Sequence, residues 1–384
     1  MLVILLSLIF IRPFICSLAF PHLNFIYSIA LLVFLLAWFS RNSVPRERIE
    51  SLKFPLILFF LALLASIVFS ADRINSLKEV YKHVGGVLIF LTAVSLTHEA
   101  RIRVIKTIVL AGFFVSLLAI YQYLFGFRHI LDYLAENNVS SVFALDYISR
   151  KRVFFPFVTP NSLGGYLAMI IPLILASWNK KKNIFFSPLF FLLLSTSYAV
   201  LLTKSLGALL SLSLGLIIYF SFPFALNNGY PARHKMLNKK IMLLAAGFLI
   251  IIGAVFLMRQ TATKQHILPT FSLVMRINYW FDTLKIIKAN LWTGVGPGNF
   301  NLTFARYAHN SYLQIWAEMG ILGAVSFLWL IIAALNSAFK AIKKSSDRKL
   351  IIGLVAANSV FLIHNLMDFS FFLPEISLIW WVIL

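Results

Sequence analysis

Apolar runs of about 17–22 residues recur along this chain from one end to the other. That length carries an α-helix across roughly 30 Å of hydrocarbon. Lipid offers no water to satisfy backbone amides and carbonyls, so only helices and closed barrels cross it. A barrel strand reads as about ten residues of alternating character, and no such segment occurs. Composition agrees: 60% of the 384 residues are hydrophobic and 12% are charged, against about 25% charged in a soluble domain. The chain therefore reads as an all-α polytopic membrane protein, a single integral domain over residues 1–384.

The runs predict about twelve transmembrane helices, near 3–20, 23–40, 54–70, 83–97, 107–125, 161–178, 184–202, 207–226, 241–258, 315–339, 350–367 and 374–384. The first run reaches Phe20 without a small-residue cleavage site and reads as a retained span. Cys16, the single cysteine, lies within it, so the chain offers neither an internal disulfide nor a cysteine metal site. A formal net charge of +21 raises the question of nucleic acid. The cations sit mainly in short loops, however, which is the positive-inside pattern and argues against nucleic acid. The loops 41–53, 98–106, 179–183, 227–240 and 340–349 hold 19 Lys and Arg in 51 residues. The alternate loops hold 14 in about twice that length. The first set is expected in the cytoplasm, and both termini with it.

Two loops on the opposite, periplasmic side are long: 126–160 and 259–314, the latter between spans nine and ten. Long ordered loops tend to carry function. In the larger one Leu273, Ile277, Trp280, Phe281, Leu284 and Ile287 share a helical face, with Arg276 at its edge and Asp282 and Lys285 opposite. This predicts an amphipathic helix, either lying on membrane lipid or packed over a cavity.

His309 stands just before the span that begins near Ile315. A helix N-terminus disfavours imidazolium, and a neutral imidazole is what a general base requires. An interfacial histidine that only bonds its loop is the plainer alternative. Arg276 and Arg306 share this loop, while Arg150, Lys151 and Arg152 close the other. Arginine grips phosphate bidentately and keeps its charge when partly desolvated. The stretch Gly294 to Phe300 is glycine-rich but lacks the spacing of a nucleotide loop, and it reads as a tight turn. Acidic residues number thirteen, with no Asp-x-Asp pair, so an enzyme of this kind is expected to work without a metal or another cofactor. His364 and Asp368, one turn apart, read as a structural pair at a helix end.

These motifs, taken together, resemble the shared segment of the O-antigen ligase and polymerase superfamily. They comprise Arg276 with Trp280, the turn Gly294 to Phe300, His309-Asn310, and Glu318-Met319-Gly320-Ile321-Leu322-Gly323. His309-Asn310-Ser311-Tyr312-Leu313 is similar to the His-Asn-x-x-Leu motif of the ligases. Arg152 through Tyr166 resembles a further family stretch, with Pro156 in place of its Gly, and His364-Asn365-Leu366-Met367-Asp368 resembles the family's penultimate-span ending. One position departs. Where the family usually shows Ser-Arg-Gly, Thr203-Lys204-Ser205-Leu206-Gly207 puts Leu206 in the Arg place, and Lys204 supplies a point charge two residues earlier.

The resemblance implies the helical bundle of a polytopic transferase that uses polyprenol-linked donors (GT-C-like). The donor it implies is a glycan on undecaprenyl pyrophosphate. His309 would deprotonate or orient the acceptor hydroxyl, and Arg276, Lys204 and Arg152 would stabilise the leaving pyrophosphate. Arg306, Asn310 and Asn161 are further candidates for substrate binding. The ligase-like motif favours lipid A-core as acceptor. A polymerase and a protein oligosaccharyltransferase are the alternatives within the family, and a transporter of small anions or lipid-linked sugars the alternative outside it.

Overall fold

The computed structural model describes residues 1–136, 142–177, 187–225, 246–257, 271–345 and 347–384. Every regular element among them is helical. In chain order they are α1 (Leu2–Ile11), α2 (Pro21–Phe39), α3 (Arg46–Val68), α4 (Arg73–Ser95), α5 (His98–Tyr121), α6 (Phe127–Glu136), α7 (Val142–Ser149) and α8 (Pro160–Ala176). There follow α9 (Pro188–Thr203), α10 (Leu206–Ala225), α11 (Ala246–Leu257), α12 (Phe271–Ala289), α13 (Ser311–Lys344), α14 (Arg348–His364) and α15 (Pro374–Ile383). The expected loops 179–183 and 227–240, and the first part of the large loop, lie outside the described residues.

Four stretches are long and apolar enough to cross a membrane: Pro21–Phe39, Arg46–Val68, His98–Glu136 and Ser311–Lys344. The third joins α5 to α6 through a π turn at Gln122–Gly126. The remaining apolar helices are shorter. Helix starts follow local chemistry. Asp72, Thr97, Thr159 and Ser187 each turn a side-chain oxygen onto a first-turn amide, and proline opens α2, α8, α9 and α15, where its missing N–H costs nothing. Exposed apolar residues such as Phe25, Leu36, Leu61 and Phe191 face outward from the bundle, as lipid-facing positions do. The chain is a multi-pass, all-α membrane protein.

Helix α8 is the centre, buried along nearly its whole length and packed against α9, α10 and α14. Small residues allow the close approach: a Cβ on Gly112 would strike Ile170, and one on Gly353 would strike Ala176. Such contacts matter in lipid, where packing replaces the hydrophobic drive between helices.

The first expected span is corrected. Its run does not form one helix over 3–20. It breaks after α1 into a 3-10 turn at Arg12–Phe14, because Pro13 cannot continue the ladder and Arg12 has a distant partner. Arg12 and Glu375 are both fully buried and pair at 3.3 Å, Arg12 also donating to Asn24 at 2.8 Å. Its guanidinium lies 4.7 Å from the Tyr27 ring centroid. Glu375→Gln keeps the shape but removes the charge, and is expected to cost about 1.5–3 kcal/mol, the worth of a hydrogen bond to a charged group. Unfolding in detergent measures it.

The feature that places the site is a break in α13. Gly320 sits at φ +67, non-helical backbone inside an otherwise continuous run. The carbonyls of Ala317 and Glu318, which the break releases, accept from Val295 and Gly296 amides at 2.9 and 3.0 Å. Gly294, Gly296 and Gly298 all have positive φ. The glycine turn read from the sequence is thus stitched onto the broken helix, and Asn299 and Asn75 tie its far side to the start of α4.

Candidate functional site

Between that turn and the first residue of α13 stands His309. It holds positive φ, +53, and the strain is one that β-carbon residues accept only where surroundings enforce it. The enforcement is visible on both sides. Asn310 caps α13, its side-chain oxygen accepting from Tyr312 and Leu313 amides at 3.0 and 3.1 Å. The imidazole is stacked on Tyr279 of α12 at 5.7 Å and meets Phe369 edge-on at 4.9 Å. Its Nδ1 is buried and has no hydrogen-bond partner.

Helix α12 supplies the next residue by a geometry that the sequence only half showed. Arg276, Tyr279, Thr283 and Ile287 recur at helical spacing. Thr283 and Ile287 are buried and Tyr279 meets His309, so this is the packed face. The predicted stripe is corrected accordingly: Ile287 belongs to the packed side, whereas Leu273, Ile277, Phe281 and Leu284 are exposed. Asp282 and Lys285 pair on the third side at 2.8 Å. One helix thus offers a site face, an exposed apolar face and a polar face. Of the two placements the sequence left open, the exposed stripe favours lipid for the outer side, while the Arg276 side covers the site.

Asp368 completes this half. It is buried, accepts from the Ser370 hydroxyl at 2.5 Å and lies 3.2 Å from His364 Nε2. Its Oδ1 has no partner. Ser311 of α13 fixes the segment by donating to Asn365 Oδ1 at 2.7 Å and to the Asp368 carbonyl at 3.2 Å. Charges at Asp368 and Arg276 both act on His309. Burial lowers the His309 pKa to about 4; Asp368 opposes this and Arg276 adds to it. For Asp368 burial pushes upward, but the close His364 contact and the Ser370 hydroxyl outweigh it and hold the carboxyl at about 2.

Both shifts have the same sign for stability. His309 binds its proton more weakly folded than at its ordinary 6.5, so the unfolded chain takes up the extra proton between about 6.5 and 4. Stability is therefore full above that window and falls on acidification through it. Asp368 adds a further loss from about 4 toward 2. Unfolding midpoints measured across this range are expected to fall with pH, and His309→Gln is expected to flatten the upper part.

The second half of the site gathers Arg152, Asn161 and Lys204 at the mouths of α8 and α9. Arg152 is buried; its Nε donates to the Thr203 carbonyl at 3.0 Å and its Nη2 to Asn161 Oδ1 at 3.1 Å. Asn161 accepts in addition from Ser205. Lys204 ends α9 in the left-handed conformation, φ +50, and its ammonium donates to the Arg150 carbonyl at 2.8 Å. Tyr147 joins the halves, with the Arg152 guanidinium 5.6 Å from its ring and its hydroxyl within electrostatic reach of Arg276 and Asp368.

Six of the seven residues singled out from the sequence therefore lie in one polar region. Arg306 stands apart: it is exposed, over the Tyr307 ring at 5.7 Å. Asn310 serves the helix end. Tyr147, Tyr279 and Phe369 were not singled out. Tyr279 was legible as the residue one turn beyond Arg276, whereas Tyr147 carried no local signal. Among the described residues no three His, Cys, Asp or Glu side chains gather as metal ligands would.

Fold and site define a multi-pass membrane protein with a cationic, histidine-centred site at one end of its bundle. Residues 189–328 match the family model described as O-Antigen ligase. That match supports membership of the O-antigen ligase and polymerase superfamily, and a glycosyltransferase-like enzyme acting on lipid-linked glycan. The matched stretch contains Lys204, Arg276, His309 and the glycine turn, and stops short of Arg152, Asn161, His364 and Asp368. No curated protein and no solved structure matches the chain.

Proposed function

We propose that the protein is an O-antigen ligase, moving a glycan from undecaprenyl pyrophosphate to lipid A-core at the periplasmic face of an inner membrane. The observation that carries this reading is the partnerless Nδ1 of His309, set beside Arg276 and Asp368. A neutral imidazole with an open nitrogen accepts the proton of the acceptor hydroxyl. The oxygen then attacks the anomeric carbon as the bond to pyrophosphate breaks, a single displacement with inversion. Negative charge grows on the leaving group, where Arg276, Lys204 and Arg152 stabilise it.

A pKa near 4 leaves His309 neutral but weakly basic. The anionic pyrophosphate raises that basicity when it binds, so the base strengthens once the donor is in place. The Asp368 charge balances the proton the imidazole gains. The scarcity of Lys and Arg in the loops that carry this site supports its facing the periplasm. The His-Asn-x-x-Leu motif favours the ligase over the polymerase.

Complementation of a strain deleted for this protein separates the readings. Wild type is expected to restore polymer on lipid A-core, and His309→Ala to accumulate long glycan on its carrier. Single repeats on core with the variant would instead make the protein a polymerase.

A further inference from the structure

His364 occupies a place in the core that packing alone does not explain. It ends α14, is 3% exposed, and lies between α8 and α10. Two glycines shape its seat: a Cβ on Gly165 would strike the ring at Cδ2, and one on Gly207 would touch Cε1 and Nδ1 at 3.7 Å. Both ring nitrogens are buried, and neither makes a hydrogen bond. Burying polar atoms in hydrocarbon costs free energy unless something pairs with them, so a side chain that only filled this seat would be apolar. What histidine adds is Nε2, standing 3.2 Å from Asp368 Oδ2. With its proton on that nitrogen the ring turns a donor toward the carboxylate and leaves Nδ1 as a bare acceptor.

The two oxygens of Asp368 are used differently. Oδ2 faces His364 and accepts from the Ser370 hydroxyl at 2.5 Å, whereas Oδ1 is buried without a partner. Across the site, the Asp368 charge acts on both His309 and Arg276. Of the charges that bear on His309, Asp368 favours its protonation and Arg276 of α12 opposes it. Tyr279 and Phe369 pack against its ring.

We propose that His364 is a positioning residue of the site: with Ser370 it holds one oxygen of Asp368, so that the carboxylate stays where its charge supports a proton on His309. Loosening Asp368 then weakens the hold of His309 on a proton, and with it the strength of the base.

The test uses the full chain in detergent with 15N-labelled histidine, the His309 resonances being those missing from His309→Gln. Titration from pH 7 downward is compared for wild type and three variants. His364→Gln puts an amide nitrogen where Nε2 stands, and His364→Asn puts it where Nδ1 stands, short of Asp368. His364→Met fills the seat with no donor. Glutamine is expected to keep the His309 midpoint, and the other two to lower it by about one pH unit. In the transfer assay, which rests on the proposed function, asparagine and methionine are expected to lower kcat about 3–10-fold with the donor KM unchanged. On an Asp368→Asn background His364→Met is expected to add nothing, because it acts through the carboxylate. An unmoved His309 midpoint in a folded asparagine or methionine variant overturns the proposal. So does a methionine effect that adds in full to that of Asp368→Asn, as loss of a core filler would. The titration needs no transfer, so a wild-type chain without transferase activity would sink the functional reading while the midpoints still decide the role of His364.

Discussion

His309→Ala lowers glycan transfer by about 10²–10⁴-fold, the usual cost of losing a general base. On the proposed mechanism the loss falls on kcat, because the imidazole would take its proton as the acceptor oxygen attacks and not as the substrates bind. Folding is expected to survive the change. The ring's burial rests on Tyr279 and Phe369, which pack with each element's own neighbours, while Asn310 still caps α13. His309→Gln restores polarity but no basicity, so it stays near the alanine variant in rate. Recovery of activity by glutamine would assign His309 to positioning.

Gly320→Ala unfolds or misassembles the outer end of α13. A side chain forced into that backbone conformation costs about 1–3 kcal/mol. Its Cβ would also strike the Trp292 carbonyl, and overpacking against rigid backbone adds about 1–3 kcal/mol. The break carries the bonds from Val295 and Gly296, and through them the segment that delivers His309, so activity falls with stability. Gly85→Ala in α4 is the control: nothing lies within 4 Å of an added Cβ there, and the cost is expected to be smaller. Unfolding midpoints of both variants in detergent check the contrast.

Much of this was legible from the chain because a membrane imposes strong local rules. The long apolar runs announced helices, and the span expected from near Ile315 announced the helix start beside His309. The glycine turn was visible too, although not its partner: Gly294 to Gly298 and Glu318 to Gly323 looked like separate motifs and are two sides of one junction. Pairings across the whole chain escaped, since no local pattern links Arg12 to Glu375. For the same reason the first run concealed a break at Pro13.

At the site, residue types were readable and directions were not. Arg276 appeared at the edge of an apolar stripe, yet it heads the packed face of α12, because Tyr279 and Thr283 turn toward the bundle and the larger apolar residues turn away. His364 and Asp368 looked like a helix-end pair, and they are in contact. What the sequence could not show is that the carboxylate also acts on His309, nearly sixty residues earlier. Leu206 in place of the family arginine also gains a context: Lys204 and the buried Arg152 converge on Thr203 and Arg150 just before it.

The central claim, that His309 and its cations transfer glycan from a lipid pyrophosphate, is tested most directly with purified protein in liposomes. Undecaprenyl-pyrophosphate-linked glycan and lipid A-core are supplied, and glycosylated core and released undecaprenyl pyrophosphate are measured for wild type and His309→Ala. The account predicts equal amounts of both products from wild type and almost none of either from the variant. Equal transfer by the two proteins, or glycosylated core without released pyrophosphate carrier, would contradict it.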